Sequence, residues 1–180
     1  MKKLLFAVIV FVFLFPTSLA FAQEITPSAS PTPVAVDYPL PYPGMLPTNP
    51  LYFLKTFRDT IVSFFISDPQ QKAEYALLQA DKNIQATVIL AKQQDEVAAR
   101  KLTVQKATDA FAQAITHAKT VQQQGRETQS FISLLTTANL KHQEVLTTVL
   151  AETDGEVKTQ IADFLKTIQK FEDQVNQLDQ

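Results

Sequence analysis

The chain of 180 residues has no cysteine, no tryptophan, three glycines and two histidines. Without cysteine it has no disulfide, no thiolate metal site, no cysteine nucleophile and no lipid-modified cysteine. So few glycines argue against a phosphate-binding loop, and neither a P-loop nor a nucleophile elbow is present. We therefore expect a protein that is not an enzyme, with no catalytic residues, no metal ligands and no cofactor.

The charge balance is slightly acidic. Lysine and arginine number 16 against 18 acidic residues, giving a net charge of −2 at pH 7. Nucleic-acid binding needs a basic face, so we expect no nucleic-acid partner. The chain also has no polybasic run of the kind that attracts an anionic membrane.

The first 22 residues have the pattern of a secretory signal. Two lysines precede an apolar run from Leu4 to Phe15, and Ala20 and Ala22 fit the positions that a signal peptidase recognises. We expect cleavage after Ala22 and an exported, extracytoplasmic protein. The alternative is an uncleaved anchor, because residues 4–22 approach the length of about 20 residues that a membrane span needs.

Prolines are concentrated in one region. Eight of the ten lie between Pro27 and Pro50, and alternating prolines favour extended polyproline II over sheet or helix. Residues 23–47 are therefore predicted to be a Pro-rich disordered linker, part of which lies on its own domain. The alternative is a peptide ligand for an aromatic groove at residues 38–43.

Beyond Pro69 the chain has no proline, and apolar residues recur at spacings of three and four, which indicates helices. Asn49-Pro50 and Asp68-Pro69 are helix-start signals. A polar patch at 92–96 is either a break between helices or part of one continuous rod. The last helix carries a heptad repeat typical of coiled-coil packing, formed by Val157, Ile161, Phe164, Ile168, Phe171, Val175 and Leu178.

These patterns predict an all-α domain at residues 48–180. We expect an antiparallel helical bundle of about four long helices plus a short N-terminal helix, because narrow apolar seams must pack against one another. The short helix, residues 51–66, is rich in phenylalanine and leucine. We expect that face to close the bundle, and the alternative is that it lies in a membrane interface.

Three residues are candidates for a functional site. His142 lies on an otherwise apolar seam, where a titratable ring needs a partner. Glu74 and Asp81 are seven residues apart and share a helix face, so either could face His142. We expect a core-edge histidine bonded to one side chain, and the alternative is a metal ligand or pH sensor.

Four segments carry a further signal: residues 46–55 (LPTNPLYFLK), 68–74 (DPQQKAE), 78–82 (LQADK) and His142 with Val145-Leu146. They resemble an exported bacterial helical family that is known only as a domain of unknown function, number 5667. The resemblance extends from about Tyr38 to Asp163. It implies an extracytoplasmic helical domain and brings no activity.

These observations together favour a structural or protein-interaction module of the bacterial cell envelope, with a protein partner. The first alternative is an extracytoplasmic sensor or ligand-binding domain with a site near His142. The second is membrane-surface association through helix 51–66. An uncleaved signal would also make membrane contact. The sequence leaves the identity of the partner and the oligomeric state open.

Overall fold

The computed structural model describes residues 35–93 and 96–179. This part of the chain contains five helices and no strand: α1 Tyr52–Phe65, α2 Pro69–Lys92, α3 Val97–Gln123, α4 Gln129–Glu152 and α5 Gly155–Asn176. The all-α fold predicted from the sequence is confirmed. The predicted signal at residues 1–22 lies outside the described residues.

Helices α2 to α5 form the bundle. The most extensive packing joins α2 to α3 and α4 to α5, and further contacts between α2 and α4 and between α3 and α5 bring the two pairs together. Because short connections join these helices, sequential neighbours run antiparallel. Helix α2 ends at Lys92 and α3 begins at Val97, so the polar patch is a break and the single-rod alternative is wrong.

Local signals in the sequence explain where the long helices begin and end. Asp68 caps α2, its Oδ1 accepting hydrogen bonds from the backbone N–H groups of Gln70 and Gln71, and Pro69 follows at the first helical position. Gly125 follows the end of α3 with φ +71°, a conformation that glycine adopts without strain. Five of the seven heptad residues are buried within α5, and Leu178 is buried just beyond its end, so only Val157 is not buried.

The first described residues belong to the helical unit, which begins at Ala35. We call residues 35–43 the N-terminal strap. Tyr38 and Leu40 of the strap pack against the core, and the Val36 N–H donates to Glu144 Oε2 over 2.6 Å. The part of the predicted linker from residue 35 onward therefore lies on its own domain. Residues 23–34 are outside the described part of the chain.

Helix α1 is oriented opposite to the expectation. None of its residues is buried, and Phe57 and Phe64 are 65% and 82% exposed. Its polar side chains face α2 and α3 instead, with Lys106 Nζ donating to the Tyr52 hydroxyl. The expectation that the phenylalanine and leucine face closes the bundle is wrong, since the four long helices enclose the core without it.

Candidate functional site

The predicted candidate His142 meets Asp81 in the interior of the bundle. His142 Nε2 of α4 lies 2.7 Å from Asp81 Oδ1 of α2, and both side chains are buried. A carboxylate oxygen accepts a hydrogen bond, so the pair suits the histidine tautomer that carries its hydrogen on Nε2. Sequence reasoning named both residues, and the structure brings them together.

Asp81 has a second partner, which sequence reasoning missed. The Tyr38 hydroxyl of the strap donates to Asp81 Oδ2 over 2.6 Å. Burial, followed by the hydrogen bond to Asp81 and the charge of that carboxylate, raises the pKa of Tyr38 above its ordinary value. The only sequence signal was an aromatic residue among prolines, which gives no indication of a partner 43 residues away.

The surroundings of His142 are apolar and aromatic. The Phe111 ring of α3 meets the His142 ring edge-on at a centroid distance of 5.4 Å, and Phe171 of α5 lies behind Phe111 at 5.1 Å. His142 Nδ1 and the side-chain amide of Asn139 find no hydrogen-bond partner among the described protein atoms. The His142 ring has no exposed surface, so His142 links elements within the core.

Glu74 does not join this network. Its side chain is exposed, and its Oε1 accepts a hydrogen bond from Gln70 Nε2 over 3.2 Å. Seven helical residues separate Glu74 from Asp81 by about 10 Å along the axis, so a shared face does not bring both carboxylates to His142. The described residues contain no group of three histidines or acids that could hold a metal ion.

A second feature is the exposed face of α1, which we call the α1 apolar face. It consists of large apolar side chains that are 40% exposed or more: Leu51, Phe53, Leu54, Phe57, Ile61, Val62, Phe64 and Phe65. Contiguous exposed apolar surface of this kind typically marks an interaction site. No other described helix exposes as many large apolar side chains.

Polar contacts hold the opposite side of α1 on the bundle. Lys106 Nζ of α3 lies 3.1 Å from the Tyr52 hydroxyl and 4.7 Å from the centre of its ring. The Tyr75 hydroxyl of α2 donates to the Asp59 carbonyl over 3.1 Å. A groove of about 320 Å³ between α1 and the bundle is lined mainly by polar side chains. The outward orientation of the apolar face is therefore fixed by specific hydrogen bonds.

Across residues 35–93 and 96–179, no helix combines the length and the apolar character that a bilayer crossing requires.

The helical unit matches a known protein family. The sequence model of a domain of unknown function (DUF5667) matches residues 44–156, more than half of the chain. The chain belongs to this family. The DUF5667 match begins at the end of the strap and covers α1 to α4, so it includes both the His142–Asp81 pair and the α1 apolar face. No curated protein and no solved structure matches the chain.

Proposed function

We propose that the chain is a non-enzymatic, extracytoplasmic helical module of the bacterial cell envelope that attaches to a membrane surface through α1. The observation that supports this proposal is the orientation of α1, whose polar side is bonded to the bundle while its apolar face is exposed. A helix with phenylalanine and leucine on one side and polar side chains on the other is typical of helices that lie in a membrane interface.

The charges near α1 favour lipid over a protein partner. Lys55 and Arg58 lie on α1, Lys82 on α2 and Lys106 on α3. Their charge complements an anionic lipid surface.

The absence of tryptophan allows a specific test. In the exported chain from Gln23, the form that signal cleavage leaves, Phe57→Trp places a single fluorophore on the α1 apolar face. We expect its emission to shift to the blue when phospholipid vesicles are added. Adding Phe64→Glu to this variant should abolish the shift, because a carboxylate would have to enter the apolar layer.

The matched control is Leu134→Trp, at an exposed apolar position of α4, which should show no shift with the same vesicles. A chain with Phe57→Trp that shows no shift with any vesicle would overturn the membrane proposal. A shift without lipid that grows with protein concentration would also overturn it and would assign the face to a second copy of the chain.

A second proposal is an extracytoplasmic sensor at His142. The observation that favours it is that Asp81 of α2 is hydrogen-bonded to both His142 of α4 and Tyr38 of the strap. A change in the hydrogen bonding of either ring would therefore affect α2, α4 and the strap. The titratable groups next to the ring are Asp81 and, bonded to Asp81, Tyr38. Phe111 of α3 meets the ring, and Phe171 of α5 lies behind Phe111. His142 Nδ1 has no hydrogen-bond partner among the described protein atoms.

The sensor proposal is tested by urea unfolding between about pH 5 and 7, the range in which histidine titrates. A sensor requires a pH-dependent free energy of unfolding in the wild type that is absent from His142→Gln, whose amide can replace one hydrogen bond. His117, which lies partly exposed on α3, provides the control through His117→Gln. Parallel pH profiles for the wild type and His142→Gln would exclude sensing by His142.

A further inference from the structure

A second cavity lies beside α1, at the end nearer the strap. It has a volume of about 340 Å³ and lies between the turn at residues 42–45, the first half of α1 and the middle of α2. Its lining residues are Tyr42, Pro43, Gly44, Met45, Leu54, Lys55, Arg58 and Lys82. We call this cavity the cationic pocket.

The cationic pocket is lined by three cations and no carboxylate. Lys55 Nζ is held at the pocket wall by hydrogen bonds to the carbonyls of Pro43, at 2.7 Å, and Met45, at 3.3 Å. Arg58 pairs with Asp59 at 2.7 Å, but Asp59 faces the other groove. Burial lowers the pKa of Lys55, and the charges of Lys82, Lys106 and Arg58 lower it further while Asp59 opposes them. An anion in the pocket would relieve this repulsion.

The pocket also adjoins the α1 apolar face. Leu54 belongs to both, and Tyr42 at the rim is 81% exposed. A negatively charged group held by the three cations would therefore lie at the edge of the apolar surface. In a phospholipid, the phosphate lies at the same boundary, between the acyl chains and water.

We propose that the cationic pocket binds the phosphate of an anionic phospholipid while the α1 apolar face enters the same leaflet. This inference rests on the proposed membrane attachment and names the lipid class that it requires. It assigns a binding role to Lys82 and Arg58, which are 24 residues apart in sequence and form no basic run.

The test compares vesicles of zwitterionic phosphatidylcholine with vesicles in which about one third of the lipid is phosphatidylglycerol, with the Phe57→Trp chain as reporter. We expect tighter binding to the anionic vesicles. Adding Lys82→Gln or Arg58→Gln should raise the lipid concentration at half-maximal shift about fivefold each on anionic vesicles, and leave binding to zwitterionic vesicles unchanged.

Lys158→Gln, at an exposed position of α5, removes the same charge far from α1 and should change the half-maximal concentration less than about twofold. The Arg58 side chain is 64% exposed, so Arg58→Gln can be used even if Lys82→Gln proves unstable. Equal binding to both vesicle types, or an effect of Arg58→Gln no greater than that of Lys158→Gln, would overturn the pocket assignment. Neither outcome would affect the membrane proposal, which fails if no vesicle shifts the emission or if the emission shifts without lipid as the protein concentration rises.

Discussion

The Tyr38 hydroxyl donates a hydrogen bond of 2.6 Å to Asp81 Oδ2, and this contact attaches the N-terminal strap to the middle of α2. The other oxygen of Asp81 faces His142. A buried carboxylate needs such partners, because removing its charge from water is costly unless hydrogen bonds replace the lost hydration. The strap therefore supplies one of the hydrogen bonds that offset the cost of burying Asp81 in this bundle.

Tyr38→Phe removes one of these two partners and preserves the ring that packs against the core. We expect the free energy of unfolding to fall by about 1–3 kcal/mol, the usual cost of leaving a buried polar group unsatisfied. Urea unfolding at pH 7 measures it. Tyr42→Phe makes the same change at an exposed ring and should have no measurable effect. Equal stabilities for the two variants would contradict a stabilising role for the Tyr38–Asp81 bond.

The Asp68 carboxylate is expected to make stability depend on acid pH. The Arg126 hydrogen bond at 2.8 Å, followed by the bonds from the α2 backbone, lowers the pKa of Asp68. A lowered pKa in the folded state contributes stability that is present above the unfolded pKa of about 4 and is lost as the pH falls through the folded value. Asp68→Asn keeps a cap acceptor but loses the ion pair.

The wild type should therefore be more stable than Asp68→Asn at pH 7, and the difference should shrink as the pH approaches about 3. Urea unfolding at several pH values measures this. Asp154, which precedes α5, makes no side-chain cap bond, so Asp154→Asn is the control. A gap between wild type and Asp68→Asn that stays constant with pH would show that Arg126 contributes nothing through charge.

The helix ends that were predicted correctly depend on local chemistry. Asp68-Pro69 and Gly125 fix helix ends through backbone geometry within one turn, so a short window of sequence is sufficient. The outward orientation of α1 could not be predicted in the same way, because periodicity shows that a helix has an apolar face but not what that face contacts. Tyr38 was missed for a related reason, since its partner Asp81 is distant in sequence and proline-rich flanks favour a linker.

Processing of the N-terminus is tested directly by mass spectrometry. Ala20 and Ala22 fit the signal-peptidase positions, so the mature protein should begin at Gln23. The expected fraction is extracytoplasmic, with membrane association that depends on α1. A chain that retains Met1 in the membrane fraction would contradict cleavage and make residues 4–22 the anchor.

Two phenylalanines allow the core and the α1 apolar face to be compared by the same substitution. Phe164 of α5 is 2% exposed in the heptad seam, whereas Phe64 of α1 is 82% exposed. Phe164→Ala should lower the free energy of unfolding by about 3–5 kcal/mol, because it removes buried apolar surface and leaves a cavity. Phe64→Ala should change it by less than about 0.5 kcal/mol, as is usual for exposed positions.

Urea unfolding of both variants, without lipid, makes the comparison. A loss below about 1 kcal/mol for Phe164→Ala, outside the range for a buried phenylalanine, would indicate that the α5 seam is not enclosed in solution. A large loss for Phe64→Ala would indicate that α1 packs its apolar face on the protein. Since membrane attachment needs that face to be available, the same result would also remove the structural basis of the proposed function.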